Sequence, residues 1–90
     1  IANKNIPIER IVLKAWKPHC CYLESLPLHH SQRIIAQDDE SITFELNVRP
    51  TFDFYQALLA QTDMAEVLEP ESVRQEMKQF TENILYHYKK

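Results

Sequence analysis

The residues with the clearest potential for chemistry are histidines and cysteines in the first third of the chain. They are His19, Cys20, Cys21, His29 and His30. Histidine and cysteine together are typical of zinc sites, whose ligands recur at spacings such as C-x2–4-C or H-x3–5-H. Neither spacing occurs here, and two adjacent cysteines on a helix point about 100° apart, so they do not converge on one ion. We therefore predict no metal site.

Structural roles explain these residues better than ligand binding does. Adjacent cysteines such as Cys20 and Cys21 rarely pair with each other, because the bridge would strain the peptide between them. We expect one of them to be buried as a small apolar side chain, and unpaired cysteines fit a reducing, cytoplasmic setting. His29 and Ser31 are expected to satisfy backbone groups where the chain enters the next strand.

The serines and acidic residues form no recognisable catalytic group. Ser25, Ser31, Ser41 and Ser72 lie in no nucleophile elbow, and no spacing suggests a serine, histidine and acid triad. The three consecutive acids at 38–40 are typical of a solvated turn. Because the chain has no glycine, Gly-rich phosphate loops, the dinucleotide fingerprint and the P-loop are excluded. The sequence predicts a protein that is not an enzyme and that needs no cofactor.

The elements that position these residues centre on a strand at 41–49, in which apolar and polar residues alternate strictly. Such alternation places every apolar side chain on one face of a β-strand. Residues 33–36 read as the partner strand of an antiparallel hairpin, with a loop of about four residues at 37–40. Pro50 ends the second strand, and Thr51 is placed to cap a helix.

The remaining pattern adds two strands and three helices to this hairpin. The predicted elements are a strand at 9–16, a short helix after Lys17-Pro18, the hairpin, a helix from Thr51 to about Gln61, a strand at 65–68, and a long helix from Pro70. We expect the strand at 65–68 to lie at a sheet edge. The expected inward-facing stripe of the first helix is Tyr22, Leu23 and Leu26. Apolar residues also recur at helical spacing in the second helix, at Phe52, Tyr55, Leu58 and Leu59, and along one side of the last, at Val73, Met77, Phe80, Ile84, Leu85 and Tyr88.

This order predicts an α+β domain with a ferredoxin-like, split βαββαβ arrangement and an appended C-terminal helix. Two right-handed crossovers would put both inner helices on one face of a four-stranded sheet. We assign residues 8–90 to this single domain and the polar residues 1–7 to the remnant of a linker. Since the first residue is Ile1 and not Met, we expect the chain to be a fragment of a longer protein.

The sheet face opposite the helices is predicted to be mixed in character. If Ile11, Leu13, Phe44 and Leu46 face the helices, the opposite face carries Val12, Lys14, Trp16, Arg33, Ile35, Glu45 and Arg49. Either the last helix or another domain covers such a face, and an uncovered patch usually marks an interaction site. We expect Trp16 to anchor an interface there, with Lys14, Arg33 and Arg49 as its surrounding cations.

The overall charge narrows the choice of partners. A formal net charge of −3 argues against direct binding of duplex DNA, which needs a basic footprint. RNA-recognition modules share this topology, but they stack bases on several sheet aromatics, and the predicted open face has only Trp16. No apolar run approaches the roughly 20 residues of a membrane span, so we expect no membrane partner.

Three ordered segments point to a known family. They are 26–32 (Leu-Pro-Leu-His-His-Ser-Gln), 47–50 (Asn-Val-Arg-Pro) with the helix at 54–59, and 65–70 (Ala-Glu-Val-Leu-Glu-Pro). Together they resemble the C-terminal extension domain, called WCX, of bacterial WYL-domain transcriptional regulators. The resemblance covers nearly the whole chain from Ile8 onward. The family commonly has a Gly-Pro turn between the second helix and the last strand, and Gln-Thr-Asp-Met replaces it here.

The resemblance implies a setting and a task. Such regulators carry a DNA-binding winged helix-turn-helix and an Sm-like WYL domain, which is thought to sense a ligand, upstream of the WCX domain. The WCX domain is then expected to support homodimer assembly and to transmit effector binding to the upstream domains of the same chain. The residues that name the WYL motif are not in this sequence, so none of their ligand contacts carries over.

A second function class also fits the predicted topology. Small-molecule-sensing domains of the ACT type use ferredoxin-like dimers too. Their ligand sites are usually formed by glycine-containing loops at the first strand–helix junction, and Trp16-Lys17-Pro18 contains no glycine. The absence of this loop favours the regulatory and assembly domain.

Overall fold

The structure, a computed structural model, describes residues 6–89. Its elements are β1 (Glu9–Trp16), α1 (His19–Ser25), β2 (Arg33–Gln37), β3 (Ser41–Val48), α2 (Phe52–Leu59), β4 (Ala65–Glu69) and α3 (Glu71–Lys89). This order confirms the predicted α+β, ferredoxin-like fold with an appended C-terminal helix. Most of the expected linker, residues 1–7, lies outside the described residues, and so does Lys90.

The four strands form one antiparallel sheet in the order β2-β3-β1-β4. Each helical crossover therefore skips one strand, as the split βαβ arrangement requires. Strands β1 and β3 pair along their whole lengths, with Ile11 opposite Leu46 and Leu13 opposite Phe44. Strand β4 lies at an edge, as predicted, and β2 forms the other edge. The register of β2 shifts between Ile34 and Ala36, which places a bulge at Ile35.

The core lies between the sheet and the three helices. Alternation along β1 and β3 directs Ile11, Leu13, Phe44 and Leu46 to the same face, and all four are buried. Every helix contributes side chains to the same cluster. They are Cys20 and Leu23 from α1, Phe54, Tyr55 and Leu58 from α2, and Val73 from α3, with Met77 and Phe80 packed against it. The predicted apolar face of the hairpin is thus confirmed as the centre of the core.

Two of the three predicted inward-facing residues of the first helix are exposed, and so is Phe52 of the second. Tyr22 and Leu26 are exposed, because α1 has fewer than two full turns and buries only Cys20 and Leu23. The side chain of Phe52 is 64% exposed. Helical side chains tilt towards the N terminus of their helix. The side chain of the first residue of α2 therefore extends past the core, while the following turn packs into it.

The last helix is only half packed. Val73 is buried and Met77 and Phe80 are partly covered, and the rings of Phe80 and Tyr55 lie 5.4 Å apart. Every residue from 81 to 89 is exposed, including the predicted stripe members Ile84, Leu85 and Tyr88. Only the first half of this stripe therefore belongs to the domain core.

Candidate interaction surface

The sheet face turned away from the helices, which we call the outer sheet face, is built from alternate strand residues. They are Arg10, Val12, Lys14 and Trp16 of β1, Arg33 of β2, Thr43, Glu45 and Asn47 of β3, and Glu66 and Glu69 of β4. All three helices pack against the other face, α3 included. Of the two covers predicted from the sequence, the last helix is therefore excluded.

Glu45 organises the centre of the outer sheet face. Its side chain is only 8% exposed, and its carboxylate oxygens accept hydrogen bonds from Nε of Arg10 and, at 2.7 Å, from Nε of Arg33. The hydrogen bonds from Arg10 and then from Arg33 hold the pKa of Glu45 below its ordinary value. Nη1 of Arg10 also reaches Glu69 at 3.3 Å. Two of the cations on this face are thus paired within the domain.

Trp16 lies at one end of the outer sheet face, opposite Ser41. It is half-buried, and Nζ of Lys14 is 5.7 Å from the centroid of its ring, a cation–π contact. A cavity of about 280 Å³ beside Trp16 is lined, besides Lys14, by the acidic turn at 38–40 and by Ser41. One cation and an acidic turn therefore surround the indole, where the sequence suggested a ring of cations.

The acidic turn is itself well ordered by hydrogen bonds. Oδ1 of Asp38 accepts from the backbone N–H groups of Glu40 and Ser41, both at 2.8 Å, and from the Ser41 hydroxyl at 3.1 Å. These hydrogen bonds lower the pKa of Asp38, so the turn carries negative charge at neutral pH. The edge of the Trp16 surface is therefore suited to a partner with basic groups.

Arg49 lies far from the other three predicted interface residues. It follows β3 by one position, eight residues beyond the level of Trp16, or about 26 Å along the strand direction. Its Nη1 donates to the carbonyl oxygen of Ile6 at 2.5 Å. The structure thus brings Trp16 and Lys14 together, places Arg33 near the centre of the sheet on Glu45, and separates Arg49 from the group.

A second cavity, which we call the histidine cavity, lies at the Arg49 end of the sheet and has a volume of about 470 Å³. It is lined by Ile8, His29, His30, Asn47, Val48, Arg49, Thr51 and Phe54. Sequence reasoning missed this group, because its members come from four separate segments. The available signal was the pairing of segments 26–32 and 47–50 in the resemblance, which the fold places side by side.

Hydrogen bonds around Ser31 connect the loop before β2 to β3. The Ser31 N–H donates to Nδ1 of His29 at 3.1 Å, and the Asn47 N–H donates to the Ser31 hydroxyl at 2.9 Å. The predicted role of His29 and Ser31 in satisfying backbone groups is confirmed. Burial, and secondarily the neighbouring His30, lower the pKa of His29.

The two cysteines and His19 lie in different surroundings. Cys20 is buried and Cys21 is exposed, as expected for one member of the pair, and burial raises the pKa of Cys20. Nε2 of His19 and Oε1 of Gln61 are 2.5 Å apart. Within residues 6–89, no three His, Cys, Asp or Glu side chains are grouped so as to hold a metal ion. No helix in that range is long and apolar enough to cross a membrane.

Comparison with known proteins now identifies the family. No curated protein matches the sequence. The sequence model of the WCX domain matches residues 7–85, most of the chain, in agreement with the resemblance noted above. The known setting of this family is the WYL-type regulator, in which it is a regulatory domain and is not known to be catalytic. The chain therefore belongs to the WCX domain family.

Proposed function

We propose that this domain joins two copies of a WYL-type transcriptional regulator and transmits effector binding at the WYL domain to the upstream DNA-binding helices. The observation that carries the proposal is that only the first half of α3 packs against the rest of the domain. Its apolar stripe runs through Val73, Met77, Phe80 and Ile84 at the four-three spacing of packed helices, yet only the first half packs within the domain.

The exposed half of α3 suits contact with a second copy. Ile84 is 44% and Tyr88 84% exposed, and both continue the stripe that is buried at Val73. A two-fold axis would pack this segment against itself, because a symmetric dimer uses the same patch on both subunits. Residues 81–89 span only about 13 Å, less than a standard interface needs, so we expect the upstream domains to add contact area.

The outer sheet face suits a different partner, the WYL domain of the regulator. It is largely polar and ion-paired, as contacts between domains of one chain often are. Trp16 supplies a half-buried aromatic anchor, and the acidic turn beside it supplies charge for orientation. A contact that depends on few apolar groups can shift with the effector-bound state more easily than a large apolar interface.

Two alternatives considered from the sequence receive less support. For RNA binding, the guanidinium groups of Arg10 and Arg33 are already paired with Glu45, so the face has little free positive charge. For ACT-type ligand binding, the backbone at the first strand–helix junction is used internally. The backbone N–H of Trp16 donates to the Met64 carbonyl at 3.0 Å, and the backbone N–H of Lys17 donates to the Glu40 carbonyl at 2.9 Å.

Sedimentation velocity on the full-length regulator tests the proposed dimer. We expect Ile84→Glu to shift the regulator from dimer towards monomer and to weaken operator binding, because it puts a charge in the contact. Gln79→Glu adds the same charge on the opposite side of α3 and should change neither. Unaltered dimerisation of Ile84→Glu would contradict the use of this surface. Because residue 84 is outside the core, circular dichroism should show that both variants fold.

A further inference from the structure

The distribution of charge in this acidic domain singles out the histidine cavity. Its lining includes one arginine, two histidines, an amide and a hydroxyl, but no carboxylate. The cavity beside Trp16, in contrast, is lined by Asp38, Asp39 and Glu40. A cavity without acidic side chains in a chain of net charge −3 has the electrostatic character of an anion site.

Arg49 differs from the other arginines in its pairing. Arg10, Arg33 and Arg74 each form a salt bridge with a glutamate, whereas Arg49 forms none with any acid in the described part of the chain. Its hydrogen bond to the Ile6 carbonyl uses one of the five N–H groups of the guanidinium and fixes the group at the cavity. The others can bind a carboxylate or phosphate in a bidentate manner.

His29 is set up as a neutral hydrogen-bond donor. Nδ1 of His29 lies 3.1 Å from the Ser31 nitrogen and 2.7 Å from the Ser31 hydroxyl oxygen. Because a backbone N–H can only donate, the tautomer without a hydrogen on Nδ1 satisfies both contacts. The hydrogen of the neutral ring is then on Nε2. Desolvation holds the pKa of this histidine below its ordinary value, which keeps the ring in that form at neutral pH.

The apolar part of the cavity lining comes from Ile8, Val48 and Phe54. A volume of about 470 Å³ is within the range of small-molecule sites. A lining that combines Arg49 and the histidines with apolar side chains matches a ligand that carries an anionic group on a hydrophobic skeleton.

We propose that the histidine cavity binds a small organic anion, through Arg49 and His29 at its carboxylate or phosphate group and through Ile8, Val48 and Phe54 at its apolar part. This activity is separate from the dimer contact, which involves the distal half of α3. It would give the WCX domain a ligand site of its own, in addition to the sensing assigned to the upstream domain.

Amide chemical shifts of the 90-residue chain, titrated with four probes at neutral pH, test the proposal. Benzoate and phenyl phosphate carry both features, benzamide lacks the charge, and inorganic phosphate lacks the apolar body. We expect saturable shifts confined to residues 29–31 and 47–54 with benzoate or phenyl phosphate, and the stronger of the two identifies the preferred anion. The proposal would be overturned if benzamide bound as tightly as benzoate, or if no anion caused a saturable chemical-shift change.

Variants assign the effect to the proposed contacts. Arg49→Gln should weaken the preferred anion by about tenfold or more, because a charge-assisted hydrogen bond is lost. Arg74→Gln removes a guanidinium that is paired with Glu66 outside the cavity and should leave binding unchanged. Equal binding by Arg49→Gln and the parent chain would overturn the assignment. So would loss of binding in the full-length regulator, since the cavity would then be filled by another part of the parent.

Discussion

At the scale of single residues, Glu45 determines the character of the outer sheet face. A nearly buried carboxylate that accepts from two guanidinium groups is stable only while both partners remain. The two arginines are themselves largely exposed, so solvent screens part of the attraction. Glu45 therefore fixes the direction of the Arg10 and Arg33 side chains more than it contributes to overall stability.

The depressed pKa of Glu45 predicts a stability change in acid. Its ordinary value is 4.5, and the native value is lower. Above pH 4.5 the carboxyl is ionised in both states, so the stabilisation is complete. As the pH falls, the unfolded state takes up the proton first, and the contribution is lost by the time the native carboxyl titrates. The free energy of unfolding, measured with urea, should therefore decline less steeply below pH 4.5 in Glu45→Gln than in the parent chain. Parallel declines would contradict this role.

Thr62 is the second residue with a testable consequence. It adopts a φ of 59°, a region that glycine occupies freely and that is strained for a β-branched residue. Strain of this kind costs about 1–3 kcal/mol, and the added chain entropy of glycine offsets part of the relief. We expect Thr62→Gly to raise the free energy of unfolding by about 1 kcal/mol, measured by urea denaturation. Thr62→Ala keeps a Cβ in this region and should raise the free energy of unfolding by less. Destabilisation by the glycine variant would show that the hydrogen bonds of Thr62 outweigh the strain.

At the scale of elements, the hairpin of β2 and β3 supplies the centre of the core. Phe44 and Leu46 are almost inaccessible to solvent and face side chains from β1 and from the helices. Truncating either to alanine should cost about 2–5 kcal/mol, because the surrounding structure cannot collapse fully into the cavity. Chemical denaturation measures the loss. Ile35→Ala, at the exposed bulge of β2, is the comparison and should cost far less; equal losses would contradict the assigned facing.

The same hairpin shows what the sequence could predict and what it could not. Strict alternation from Ile42 to Val48 is sufficient to assign the buried face of β3, since the side-chain period of a strand is two. The bulge at Ile35 left no such signal, because two adjacent isoleucines fit either facing. The helical stripes at Phe52 and Ile84 extend beyond the core, since hydrophobic spacing shows an apolar face of a helix but not how far the sheet beneath it extends.

The candidate sites were predicted only in part for a related reason. Alternation placed Lys14 and Trp16 correctly on one face, but it does not give distances along the sheet. Arg49 has the same parity along β3 and still lies about 26 Å from Trp16. The histidine cavity needs the approach of the loop before β2 to the end of β3, and that contact is tertiary.

At the scale of the whole molecule, the two ends of the sheet differ in charge and are proposed to serve different partners. Trp16 and its acidic turn mark one end, and Arg49 with the histidines marks the other. The exposed half of α3 adds a third surface for a second copy. If these surfaces act independently, substitutions at one should leave the others intact.

Trp16→Ala in the full-length regulator tests this separation. We expect it to weaken transmission between the WYL and DNA-binding domains, seen as a changed operator affinity, while sedimentation still shows a dimer. Circular dichroism of the 90-residue chain should be unchanged, because the indole is outside the core cluster. Unfolding of the chain would show that the indole is structural. Unchanged operator binding would place the interdomain contact elsewhere.

The bulge in β2 also affects how well this edge of the sheet can pair with another strand. This edge strand is exposed along its whole length and includes two isoleucines, a combination that invites pairing with a β-strand of another molecule. The shift of register at Ile35 breaks the even row of backbone donors and acceptors that an incoming strand would need. We therefore expect the bulge at Ile35 to disfavour the addition of a strand from another molecule at this edge of the sheet.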